Sequence, residues 1–179
     1  MALTGSETLQ VLGQDGKGAP AATTQQTTTG AIAALAGANP NAPVAVGAAK
    51  TASFGNTYKL DTAAGSVLTL PAATGSGGVV RAIVTTAITS NAHKILPNSV
   101  ADFMQGIVEG HVAAGTTLGF SGNAAASHSI QMPFAGTTPS GGAAGDWFEF
   151  RDIGAGLWEV TGAFLSGTTS TTPFSTATT

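Results

Sequence analysis

The sequence predicts an all-β fold: an antiparallel, jelly-roll-like β-sandwich with an extended N-terminal arm. Three observations lead there. Short runs rich in β-branched and aromatic residues alternate with Gly, Asn, Pro and Ser turn signals from residue 51 onward, giving about eight to ten strands. No helical period of apolar residues competes with them in that region. Ala, Gly, Thr and Ser supply more than half of the 179 positions, with only six Lys and Arg and nine Asp and Glu among them. Side chains this small let strands and subunits approach closely, as suits a packed, sturdy protein.

Residues 1–50 form the arm. They hold few bulky residues and run through Gly16-Lys17-Gly18-Ala19-Pro20 into Thr23-Thr24-Gln25-Gln26-Thr27-Thr28-Thr29, a stretch that cannot build its own core. Thr29 offers an N-cap for a short helix over residues 30–36, with Gly37 as its stop and Pro40 and Pro43 beyond. Such a helix is too short to stand alone in water. Leu9, Val11, Leu12, Ile32 and Leu35 read as apolar anchors of a segment that orders on a partner surface. A disordered Thr-rich leader is the plainer alternative.

The body spans residues 51–165. Phe54, Tyr58 and Leu60 share parity around Gly55-Asn56, and Leu68 and Leu70 precede Pro71, as in half-buried strands. Gly75-Ser76-Gly77-Gly78 reads as a hairpin turn, followed by a central strand over residues 79–89 whose sole charge is Arg81. Shorter strands follow at Lys94-Ile95-Leu96, Gly106-Ile107-Val108, Thr117-Leu118-Gly119-Phe120 and Ser129-Ile130-Gln131-Met132, with a turn or bulge over residues 98–105. The last pair is the best defined. Phe148 and Phe150 alternate against Trp147, Glu149 and Arg151, Trp158 and Val160 against Leu157 and Glu159, and Ile153-Gly154-Ala155-Gly156 joins them as a hairpin. Residues 166–179 form a Thr- and Ser-rich tail in which Phe174 is the anchor.

Composition narrows the function. A net charge of −3 without clustered Lys or Arg gives no footprint for nucleic acid, whose binding requires counterion displacement. No stretch reaches the ~18 apolar residues of a membrane span, and Met1-Ala2-Leu3-Thr4-Gly5 lacks the basic and apolar regions of a signal peptide. Synthesis in the cytoplasm is expected. The chain has no cysteine, so packing or partner chains must hold the fold.

The sites that chemistry needs are thin. Gly75-Ser76-Gly77-Gly78 precedes a strand, whereas a phosphate-cradling loop follows one and opens a helix. Ser140-Gly141-Gly142 lacks the frame of a nucleophile elbow. His93, His111 and His128 have no metal-site spacing and read as exposed loop residues; a metal on a threefold axis is the other reading. Asp102 and Glu109 flank Gly106, while Asp146, Glu149, Asp152 and Glu159 cluster about the last hairpin, where paired carboxylates can serve glycoside hydrolysis or hold calcium. Arg151 among them favours a plain ion pair. Trp147 and Trp158, with Phe148, Phe150 and Phe174, read as core or subunit packing rather than a sugar platform. No enzyme, cofactor or metal is expected.

The leader from Leu9-Gln10-Val11-Leu12-Gly13 to Thr29-Gly30-Ala31-Ile32, with Gly145-Asp146-Trp147-Phe148-Glu149-Phe150, Leu157-Trp158-Glu159-Val160-Thr161-Gly162 and Thr172-Pro173-Phe174, resembles the small virion proteins of tailed bacteriophages. Head decoration (cement) proteins and head-fibre proteins are the nearest in style. The resemblance covers both ends of the chain and rests on style more than on a specific motif. It implies a homotrimer on the outer surface of the capsid, fastened to the major capsid protein by the N-terminal arm, with a β-rich body pointing outward. A tail-fibre or tail-tip component binding host glycan is the alternative.

Overall fold

Alternation with a period of two puts Phe148 and Phe150 on one side of their strand and Trp147, Glu149 and Arg151 on the other, so one side of each sheet must find a second apolar layer. A computed structural model of the chain describes residues 42–112, 115–123, 126–133, 141–166 and 172–178. In chain order the strands are β1 (Val44–Ala45), β2 (Ala49–Thr51), β3 (Thr57–Leu60), β4 (Val67–Thr69), β5 (Val79–Val84), β6 (Ala92–Leu96), β7 (Phe103–Val112), β8 (Thr117–Gly122), β9 (Ser129–Pro133), β10 (Trp147–Gly154), β11 (Leu157–Ser166) and β12 (Phe174–Ser175). They form a seven-stranded sheet in the order β1-β3-β5-β10-β11-β7-β8 and a five-stranded sheet in the order β12-β9-β6-β4-β2. No helix occurs among the described residues, and the all-β expectation holds.

The pairing is mixed rather than antiparallel. The first six strands alternate between the two sheets, so neighbours within a sheet lie two elements apart in the chain and run the same way. β1, β3 and β5 pair in parallel, as do β2, β4 and β6. Parallel neighbours need a crossover. Here each crossover is a strand of the opposite sheet, so this half winds as a flattened coil and does not follow the hairpin logic of a jelly roll. The β10–β11 hairpin then inserts between β5 and β7, antiparallel to β5 and parallel to β7.

Three finer expectations are corrected. β1 and β2 belong to the sheets, so the body begins before residue 51. The 75–78 segment carries the chain from β4 of one sheet to β5 of the other and is not a hairpin turn. The strand expected to start near Gly106 starts at Phe103, inside the presumed turn. Gly106 lies within this strand at φ +135, where an added Cβ would run into the Val160 carbonyl oxygen. The close β7–β11 approach therefore depends on glycine.

The core lies between the sheets. Trp158, Phe148, Phe150, Phe164, Met104 and Val108 come from the seven-stranded sheet and Leu68, Ile95, Ile130 and Met132 from the other, all at most 1% exposed. Each large side chain contributes ~1.5–3 kcal/mol by burial. Phe164 joins Phe148 and Phe120 with ring centroids 6.5 and 5.7 Å away. Phe174, buried as the tail's anchor, lies so close over Gly122 that a Cβ there would meet its ring at 2.5 Å.

Candidate binding face on the seven-stranded sheet

Register sets the outer face of the seven-stranded sheet row by row. One row runs Arg81, Glu149, Thr161 and Ile107 across β5, β10, β11 and β7. The next, toward the start of β10, runs Ile83, Trp147, Ala163 and Glu109, and the last places Leu165 beside His111. Cross-strand neighbours on one face touch, so residues from four separate stretches of sequence make one surface.

Ion pairs fill one part of this face. Arg81 Nε lies 2.6 Å from Glu149 Oε2, and Arg151 lies 3.9 Å from Glu149 and 3.8 Å from Glu159. These partly exposed pairs add little stability, but they leave that part of the face with its charges satisfied. The plain ion pair expected around Arg151 is present.

The other part is apolar and indented. Ile107 is 64% exposed, Leu165 53% and Trp147 44%. Trp147, Ala163, Leu165, His111 and Gly145 border a shallow groove of about 270 Å³, with Asp146 and Phe164 behind it. His111 Nε2 stands 3.7 Å from Glu109 Oε2, and its Nδ1 lies 3.2 Å from the Thr117 hydroxyl.

Behind the groove, Asp146 is 1% exposed. Its Oδ2 accepts the amides of Gly142 and Ala143 at 2.7 and 3.0 Å, and its Oδ1 the Leu165 amide at 2.8 Å. Burial drives its carboxyl up to about 6, against the pull of these amides from Leu165, Ala143 and Gly142. Asp146 therefore ties the 141–145 loop to β11 and keeps its oxygens from the groove.

At the other end of β10, Asp152 is fully buried and accepts the amides of Thr74, Gly75 and Ser76 and both neighbouring hydroxyls. Burial alone raises its carboxyl, but the bonds from Ser76, Thr74 and Gly75 outweigh that and hold it well below the usual range. The glycine-rich loop does cradle an anion, the chain's own. Asp102 is nearly buried with Oδ2 unpartnered; burial raises its carboxyl, opposed by the Ala73 and Ser99 amides and assisted by the charge of Asp152.

The expected site residues separate. Phe148, Phe150, Trp158 and Phe174 are core, while Trp147 faces outward and is not core packing. Leu9, Val11, Leu12, Ile32 and Leu35 lie outside the described residues, as does the short helix expected over residues 30–36. His93 is not an exposed loop histidine. It is fully buried in β6, its Nδ1 accepting the Ser66 amide at 3.1 Å and its Nε2 donating to the Thr86 carbonyl at 3.1 Å. His128 stacks on Phe103 with ring centroids 4.5 Å apart. Among the described residues no three His, Asp or Glu side chains gather as a metal site, and no helix is long and apolar enough to cross a membrane. The Trp147–Glu109–His111 grouping was missed in the sequence because it depends on parallel pairing of β11 with β7.

No protein-family model, curated protein or solved structure matches the chain.

Proposed function

We propose that the chain is a structural virion protein, a decoration or cement protein that binds the outer surface of a tailed-phage capsid as a homotrimer and stabilises the shell. The observation that carries this reading is the division of labour in the chain. Residues 43–179 gather into one compact unit whose core, from Val46 to Phe174, is drawn from both sheets. The preceding residues supply spaced apolar side chains in a stretch too poor in bulk for a core of its own.

The mechanism follows from contact area. A packaged genome pushes the shell outward, and a protein bridging neighbouring major capsid subunits adds contacts that must break before the shell opens. Ordering a leader costs ~1–2 kcal/mol per residue. Three leaders on one trimer offset that cost through effective concentration.

Deletion of residues 1–41 tests the proposal. The truncated protein should keep its β-rich circular dichroism and fail to co-sediment with purified shells that the full chain decorates. Undiminished decoration by the truncated protein contradicts attachment through the leader.

A tail-fibre or tail-tip component is the second reading. Exposure of Trp147 at 44%, beside polar side chains, favours it.

A further inference from the structure

We infer that the trough lined by Trp147, Ala163, Leu165 and His111, with Glu109 at its edge beside His111, is a binding site for a neutral sugar. Trp147, Ala163 and Glu109 occupy one cross-strand row on β10, β11 and β7. Strands are spaced about 4.8 Å apart, so Trp147 and Glu109 stand about 10 Å apart across the sheet. Ala163 between them keeps the floor low, and Leu165 beside His111 closes one end. The volume of about 270 Å³ lies just below the ~300–1,000 Å³ of drug-sized ligand clefts and suits one or two sugar rings better than a folded partner.

The chemistry of the walls selects the ligand. A pyranose has an apolar face of ring C–H groups and a rim of hydroxyls. Trp147 offers a large exposed aromatic surface for the first. At the trough's edge, in Trp147's cross-strand row and beside His111, the Glu109 carboxylate is acceptor-only, and two hydroxyls of a sugar reaching past the groove can share its oxygens. His111, within 3.7 Å of Glu109, supplies a ring nitrogen for a third hydroxyl. Both polar side chains are about half exposed, at 60% and 45%, so they can meet a ligand without first breaking a buried network.

Charge narrows the class further. Asp146 behind the groove spends its oxygens on three backbone amides, and among the described residues no Lys or Arg borders the trough. Glu109 then repels sialic acids, uronic acids and phosphorylated sugars, leaving neutral hexoses and N-acetylhexosamines. The site is compatible with either functional reading, since an outward-facing body can touch a glycan from a shell or from a tail.

The test is saturation-transfer NMR on the full-length protein with maltose, cellobiose, mannobiose, lactose and chitobiose, and with 3′-sialyllactose and glucuronate as anionic counterparts. At least one neutral disaccharide should receive saturation on its ring C–H protons in a saturable, competable way, while the anionic sugars receive none. Trp147→Ala should abolish the transfer, Trp147→Tyr should restore part of it by stacking, and Glu109→Gln should weaken binding about tenfold. Intrinsic fluorescence gives a second readout: Trp158 is fully buried, so a sugar-induced blue shift arises from Trp147. The inference is overturned if no neutral sugar binds, if binding survives Trp147→Ala, or if sialyllactose binds as well as lactose.

Discussion

Thr74 gives both its amide and its hydroxyl to the carboxylate of Asp152, 78 residues further along the chain, at 3.0 and 3.1 Å. With Gly75 and Ser76 completing the shell, this one carboxylate fixes the crossover from β4 to β5 against the end of β10. An asparagine there keeps one acceptor and turns an NH₂ toward amides that need acceptors. Asp152→Asn should therefore lose about 2–4 kcal/mol, read as a lower urea midpoint. The sign with pH is fixed by the depressed carboxyl. The wild type's advantage over Asp152→Asn should be complete above the unfolded value of 3.8 and fade as pH falls through the still lower folded value. An advantage independent of pH in acid would contradict the charged network.

Asp146 behaves in the opposite sense. Its folded carboxyl titrates at about 6 against 3.8 unfolded, so the stability it contributes is complete below 3.8 and lost as pH rises through about 6. The loss is on the order of 3 kcal/mol. Comparing wild type with Asp146→Asn at intervals from pH 4 to 7 isolates it: the difference should shift in favour of the asparagine variant as pH rises. A flat difference would show that the three amides balance burial.

His93 acts in that window from the other side. Burial lowers its pKa below 6.5, opposed by the Thr86 carbonyl and the charge of Asp61. The stability it contributes is present above 6.5 and lost as pH falls through the lowered value. His93→Gln should be destabilised at pH 7, because Ser66 and Thr86 lose well-placed partners, yet should lose less than wild type on acidification. Thermal melts at pH 7 and at pH 5 make the comparison.

Gly106→Ala tests the close approach of β7 to β11. With φ at +135 and the Val160 oxygen in the way of a Cβ, the strands must separate or the residue must change conformation. A loss of about 3 kcal/mol or more is expected, and hydrogen exchange should quicken along β7 and β11 first. A variant as stable as wild type would mean that the parallel pair is not packed as described.

What the sequence revealed and what it hid divide along physical lines. Alternation of Phe148 and Phe150 against Glu149 and Arg151 marks a half-buried strand whichever way its neighbours run, so β10, β11 and their hairpin were legible, as was the burial of Phe148, Phe150 and Trp158. Direction was not legible, because a period of two is the same in parallel and antiparallel sheets. The coil therefore passed as an antiparallel run from residue 51 onward, and β1 and β2 passed as part of the arm. The Trp147 groove was hidden for the same reason: Ala163 reaches Glu109 only through the parallel β11–β7 register. His93 passed as a loop residue because its partners, Ser66 and Thr86, are backbone groups that no side-chain pattern marks.

Cryo-electron microscopy, at side-chain resolution, of virions purified from cells that produce the chain tests the central claim most directly. The account predicts trimeric density at threefold or quasi-threefold positions of the shell, residues 1–41 running along major capsid subunits, and the β-sandwich outward. Density on the tail, or absence of the chain from the particle, contradicts it.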